Sequence, residues 1–148
     1  MSKIKKAVPE DLPAISEFQL KMAWETERLA LHRETVENGV KAVFDNPSRG
    51  QYWVATDNNK VIASLLITYE WSDWRNTEVW WLQSVYVIPE FRRKGVFRKM
   101  YEFIKAEAEK QGIAGLRLYV ETNNTAAQKT YEAIGMKSEH YRLYEWLK

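Results

Sequence analysis

Five basic side chains crowd one short stretch of the chain: Arg92, Arg93, Lys94, Arg98 and Lys99 surround Gly95. An apolar segment ending in Val85-Tyr86-Val87-Ile88-Pro89 precedes them, and a helical pattern follows. The first turn of a helix carries N–H groups without intrahelical acceptors and a partial positive charge, so it suits an anion. Glycine at that point allows a close backbone approach or a positive φ. A pyrophosphate or a cluster of phosphates fits these features. A solvated basic helix start with no ligand fits them equally, and residue types alone leave both readings open.

Acidic candidates lie elsewhere. Glu25 and Glu27 occur in Trp24-Glu25-Thr26-Glu27, Glu70 closes an apolar strand beside Trp71, and Asp73 and Glu78 flank the next turn. Trp71, Trp74, Trp80 and Trp81 fall close together. Carboxylates and indoles around one pocket would suit a cationic amine, although single residues of these types more often sit on a solvated surface or in a core. The chain has two histidines, His32 and His140, too far apart in sequence to suggest a metal site, and it has no cysteine. Disulfides, thiolate zinc and a cysteine nucleophile are therefore excluded.

The elements that must carry these residues follow from hydrophobic spacing. Lys3 to Val8 reads as a strand. Pro9-Glu10-Asp11 opens a helix with Leu12, Ile15, Phe18 or Gln19, and Met22 on one face, and Glu25 and Glu27 fall after it. Val36, Val40, Val43 and Phe44 stripe a second helix over Thr35 to Phe44. Tyr52 to Thr56 and Val61 to Tyr69 read as strands joined by the turn Asp57-Asn58-Asn59-Lys60. Glu78 to Ile88 is a long strand stopped by Pro89. Phe97, Met100, Tyr101, Ile104 and Ala108 form the buried stripe of a helix ending near Gly112. Leu116 to Val120 is a strand. A last helix is striped by Ala127, Thr130, Tyr131 and Ile134, with Thr125 and Gln128 at capping-box spacing. Tyr141 to Leu147 is a candidate final strand. The order β-α-α-β-β-β-α-β-α-β describes an α/β sheet in which only the centre need be parallel.

Composition agrees with a single folded domain. The 148 residues are 45% hydrophobic and 28% charged, with a net charge of +2. That balance gives no support to a disordered chain or a nucleic-acid binder. No apolar run approaches a membrane span, and the basic start at Met1 to Lys6 lacks the apolar stretch of a secretory signal, so a cytoplasmic protein with no membrane partner is expected.

Two segments resemble the GCN5-related N-acetyltransferases. Val87-x-Pro89-x-Phe91-Arg92-x-Lys94-Gly95-Val96 is similar to their acyl-CoA-binding motif, whose core is Arg or Gln-x-x-Gly-x-Gly or Ala. Arg92 and Gly95 match; Phe97 stands where the family usually has a small residue. Asn124, Ala127, Tyr131 and Gly135-Met136 are similar to a second segment, Asn-x-x-Ala-x-x-x-Tyr-x-x-x-Gly-Phe. Ile4 to Ile15 looks like the family's first strand and helix. Together the two motifs, each on the right element, are far more specific than either alone.

The resemblance implies a mixed, mostly antiparallel sheet with a splayed central pair of strands, flanked by helices. It implies acetyl-CoA as co-substrate, with no metal. The backbone of Arg93, Lys94, Gly95, Val96, Phe97 and Arg98 would receive the pyrophosphate, with Arg92 as the motif's first position. Val85 and Val87 would pair with the pantetheine arm like an extra strand, and Asn124 would bond to it. Phe97 would have to point into the core. Tyr131, which spacing alone assigns to packing, would stand near the sulfur. A phenol of pKa roughly 10 can protonate a thiolate whose thiol has a pKa of roughly 8.5. Without cysteine, the amine would attack directly in a ternary complex. Glu70 is the first candidate for its base, and Glu25, Glu27, Trp71 and Trp74 are candidates for binding a small cationic amine. A non-catalytic acyl-CoA-binding module, or acetylation of a protein N-terminus or lysine, stays open, and a homodimer is compatible with the sequence.

Overall fold

The computed structural model describes residues 2–148, which form two compact units divided between Leu118 and Tyr119. The first holds five strands: β1 Lys3–Lys6, β2 Gln51–Asp57, β3 Lys60–Ser72, β4 Thr77–Val87 and β5 Gly115–Leu118. They form one sheet in the order β1-β2-β3-β4-β5. The first three pairings are antiparallel and β4–β5 is parallel, so the sheet is mostly antiparallel as expected, with its parallel pair at the β5 edge rather than at the centre. A return from β4 to a parallel neighbour needs a crossover, and α3 (Val96–Lys110) supplies it.

Helices α1 (Leu12–Glu27) and α2 (Arg33–Asp45) belong to one face of the sheet, and α3 to the other. On the first face, Ile15 of α1 and Val40 of α2 meet Tyr52 and Val54 of β2, with Val36, Val43, Phe44 and Leu66 packed around them. On the second, Trp53 of β2 packs on Phe103 of α3, with ring centroids 5.6 Å apart. Strand alternation supplies both faces from the same short segment, because Tyr52 and Val54 point one way and Trp53 the other.

Helix α1 begins through a single 3-10 turn at Pro9–Asp11, where the Asp11 carboxylate accepts the Val8 N–H at 2.9 Å. It runs on through Glu25 and Glu27, so these acids occupy its last turn and do not follow it as expected from the sequence. The buried stripe of α3 is headed by Val96, not Phe97. Val96 is buried with Met100, Tyr101, Ile104 and Ala108, while Phe97 is half-buried beside Tyr101. Both positions lie within helical spacing of Met100 and Tyr101, and packing places Val96 inward.

The second unit contains α4 (Thr125–Ala133). Asn124 caps it by accepting the Ala127 N–H at 3.1 Å, so the expected Thr125–Gln128 capping box does not form. Gln128 instead donates to the Glu121 and Thr122 carbonyls. The expected strand over Tyr141 to Leu147 has no regular structure, and Tyr141, Leu143, Tyr144, Trp146 and Leu147 are exposed. A strand exists only where a ladder partner does, and alternation of apolar residues cannot supply one. No helix among the described residues is long and apolar enough to cross a membrane.

Candidate active site

The parallel pairing of β4 with β5 ends at Leu82↔Leu118, yet β4 continues to Val87. From Gln83 onward that side of β4 has no strand paired with it among the described residues. The splay coincides with a bulge on the opposite side. Leu66 pairs with Gln83 and Ser64 with Tyr86, so Leu65 faces both Ser84 and Val85. Ser84 takes up the extra residue with φ 52°. A left-handed serine is uncommon, and bulges of this kind bend the strand and sharpen its twist.

The bulge also decides which side chains share a face. Trp81, Gln83 and, after the extra residue, Tyr86 all project towards the α1 side, as do their β3 partners Thr68, Leu66 and Ser64. Backbone direction alternates too. Ile88 N–H donates to Ile62 of β3 at 2.9 Å, so the main-chain groups of Val87 turn to the open side. The Val87 carbonyl there accepts a 2.8 Å bond from Arg92 Nε. Of the two groups expected to meet an extended ligand at this residue, the N–H is the one left.

A 3-10 turn at Pro89–Phe91 carries the chain from β4 into the basic loop. Arg93 has φ 61° and Gly95 has φ 77°, both left-handed. The first main-chain bond across the helix start runs from Lys99 N–H to the Gly95 carbonyl at 3.0 Å. The amides of Val96 and Arg98 therefore have no acceptor within the helix. A Cβ built on Gly95 would meet no heavy atom within 4 Å, so glycine leaves open space in front of the helix start. Left-handed turns next to a helix N-terminus aim successive N–H groups into one concavity suited to phosphate oxygens. The residues present thus fit a pyrophosphate-bearing co-substrate, with Arg93, Lys94, Arg98 and Lys99 adding positive charge. Half-buried Phe97 does not fill that space.

Arg92 is engaged differently from its basic neighbours. Besides Val87, its guanidinium bonds Glu25 Oε2 of α1 at 2.9 Å and lies over the Tyr86 ring, 5.2 Å from its centroid. Tyr86 in turn donates its phenol to Glu25 Oε1 at 3.1 Å and packs on Phe18, with centroids 5.1 Å apart. Burial, then the bond to Glu25, raises the Tyr86 pKa above the ordinary tyrosine value, and Arg92 opposes that rise. Beside this network runs an open groove of about 580 Å³ between α1 and the end of β4, with Lys21, Trp24, Glu25 and Glu90 on its walls.

The acidic candidates are not gathered into one pocket. Glu70 pairs with Val79, whereas Glu25 bonds Tyr86, and β4 advances roughly 20 Å between those two positions. Glu70 and Trp71 point to opposite faces of β3. Trp71 is 62% exposed, and Trp74, in the β3–β4 turn, is 90% exposed. Glu27 is exposed at the end of α1. Glu70 accepts from Trp81 Nε1 at 2.6 Å and from Arg117 of β5 at 3.2 and 3.3 Å. Sequence reasoning grouped Trp81 with its neighbouring tryptophans without tying it to Glu70, and it missed Arg117, Ser84 and the engagement of Tyr86. The adjacent polar residues Gln83-Ser84 inside an apolar strand were the available signal for the bulge.

In the second unit Tyr131 is half-buried on α4, and burial raises its pKa above the ordinary tyrosine value. Its phenol therefore keeps its proton over a wider pH range than a free tyrosine. Asn124 uses its carbonyl oxygen as the α4 cap, which leaves its amide NH₂ as the group that could meet a ligand. Among the described residues no three metal-ligating side chains come together.

Known proteins agree with this geometry. A solved structure from Clostridium difficile 630, described as a possible acetyltransferase, is 42% identical and superposes with a TM-score of 0.92 over 100% of this chain and 98% of its own. Aminoglycoside N-acetyltransferase AAC(6')-Iy, solved in complex with CoA, shares the fold at 16% identity with a TM-score of 0.80, over 100% of this chain and 95% of its own. The [ribosomal protein bS18]-alanine N-acetyltransferase of Escherichia coli K12 is 36% identical over 61 residues, and that match spans 41% of either chain. The model of the acetyltransferase (GNAT) family matches residues 11–136, and with the splayed β4 and the glycine loop in place the chain belongs to that family.

Proposed function

We propose that this protein is an acetyl-CoA-dependent N-acetyltransferase that acts on a primary amine by direct attack. The observation that carries the reading is the left-handed Gly95 loop heading α3 at the end of the splayed strand β4. One feature supplies N–H groups for phosphates, and the other supplies an open strand edge for an extended amide chain. When bound, acetyl-CoA supplies an activated thioester carbonyl. The amides of Val96 and Arg98, among those from Arg93 to Arg98, would hold its phosphates, and the open-edge groups of Val85 and Val87 its amide arm. A main-chain N–H near Val85 would meet the charge that develops on the carbonyl oxygen. The new N–C bond forms as the C–S bond breaks. The amine releases its proton to water, and the departing thiolate takes one up from a phenol donor, the role that the family resemblance gives Tyr131.

For the acceptor we favour a small cationic amine, because Glu90 and the exposed Trp24 stand on one groove beside the cofactor strand. The similarity to an alanine N-acetyltransferase favours a second reading, a protein N-terminus, which this open groove could also admit. Thiol release from acetyl-CoA, measured with a panel of small amines and of peptides with free N-termini, tests both. Release with neither class, by a protein whose melting temperature acetyl-CoA does not raise, would overturn the proposed activity.

A further inference from the structure

Among the described residues, Arg92 is the basic side chain of the cofactor loop held in an ion pair. Its guanidinium joins three elements: the end of β4 through the Val87 carbonyl, α1 through Glu25, and the loop that it begins. Tyr86 closes the network by donating to the other oxygen of Glu25 and lying under the guanidinium. The residue that follows, Arg93, is left-handed, so its conformation must be held from outside. Arg92 itself is extended, at φ −70° and ψ 152°, with its N–H bonded to the Pro89 carbonyl. Its side chain is thus the fixed end from which the loop turns.

We propose that Glu25 is a positioning residue for the cofactor loop: acting through Arg92, it holds the backbone from Arg93 to Gly95 in the phosphate-accepting shape. The proposal rests on the assignment of that loop to acetyl-CoA. It gives Glu25 a task on the cofactor side rather than a contact with the amine. Glu25 is a carboxylate on the same network as a site for anions. By charge alone, removing it should strengthen binding of CoA phosphates. By positioning, removing it frees Arg92, loosens the loop and weakens binding. The two accounts differ in sign. An ordinary exposed ion pair would move neither quantity much.

The test is the affinity of CoA, by calorimetry, for the wild type, Glu25→Gln, Arg92→Gln and the double variant. Melting curves and far-UV spectra establish that each is folded. The expected result is weaker binding in both single variants, by roughly three- to thirtyfold, with the double variant no worse than either single one. Glu25→Asp, which keeps the charge but shortens the reach, should recover only part of the loss. In steady state the acetyl-CoA KM of Glu25→Gln should rise while the amine KM stays near wild type. Equal or tighter CoA binding by folded Glu25→Gln overturns the proposal and leaves the cofactor assignment standing. A rise confined to the amine KM also overturns it and returns Glu25 to the acceptor. Absence of CoA binding by the wild type would overturn the cofactor assignment as well. Should Glu25→Gln fail to fold, Arg92→Lys decides. Lysine keeps a positive charge but cannot reach Val87 and Glu25 with one planar group, so binding as tight as wild type would overturn the proposal.

Discussion

The Trp81 indole donates to the Glu70 carboxylate at 2.6 Å, joining β4 to β3 two residues out of direct register. Arg117, directly opposite Trp81 on β5, holds the same carboxylate from the other side. Glu70 therefore cross-links three strands on one face. We predict that Glu70→Gln lowers stability modestly, by about 0.2–1 kcal/mol because the pair is partly exposed. Its profile of rate against pH should superimpose on that of the wild type. A turnover loss that is greatest at neutral pH and partly recovers where free amine is abundant would instead identify Glu70 as the base.

Gly95 separates backbone strain from occlusion of the helix start. At φ 77° a β-branched residue is strained, at a cost of roughly 1–2 kcal/mol, although its Cβ would strike nothing in the protein. Asparagine tolerates this conformation far better. We expect Gly95→Asn to melt close to wild type and yet bind CoA at least tenfold more weakly, because its side chain enters the space before the amides of α3. Gly95→Val should lose both stability and binding. Calorimetry and thermal melts on the two variants check this.

Tyr131→Phe should leave CoA affinity intact and lower turnover by about 10²–10⁴-fold, the usual range for a positioned acid. Because burial raises the phenol pKa, the donor form persists above the ordinary tyrosine range, and wild-type turnover should fall only beyond it. Turnover in the variant equal to wild type would return Tyr131 to packing.

Tyr52 provides a pH test of the core. Burial pushes its phenol up to about 12. Below the ordinary value of about 10 both folded and unfolded chains hold the proton, so this residue gives no pH dependence there. Between about 10 and 12 only the unfolded chain releases it, and stability falls as pH rises, by roughly 1.4 kcal/mol per pH unit at most. Urea unfolding at pH 9 and pH 11.5 should show the loss, and Tyr52→Phe should shrink it.

The sequence made the cofactor side of the molecule legible, and the acceptor side much less so. The Gly95 loop, the stop at Pro89 and the stripe from Met100 to Ala108 are local patterns, and local patterns are written in consecutive residues. The engagement of Glu25 with Arg92, and of Glu70 with Arg117, spans 67 and 47 residues. No spacing rule reaches that far. Arg75, the basic residue nearest Glu70 in sequence, bonds Ser72 within the turn instead. The final strand failed for a related reason: the alternation in Tyr141 to Leu147 states a preference, and a ladder needs a partner. Phe97 was displaced from the core by one position because apolar residues stand at both 96 and 97, and only packing decides which of the two faces inward.

The additional residue at Ser84 sets the phase of everything after it on β4. Side chains on a strand alternate with a period of two, so taking one residue out of the bulge would exchange the faces of Tyr86 and Val87. Tyr86 would leave Phe18 and Glu25, and the carbonyl now bound by Arg92 would turn away from the open edge. Loops elsewhere in this chain can lengthen or shorten at small cost. Between Gln83 and Pro89 a single insertion or deletion would uncouple α1 from the Gly95 loop in one step. Length polymorphism among natural or engineered variants should therefore be absent from those few residues, even where substitutions are tolerated.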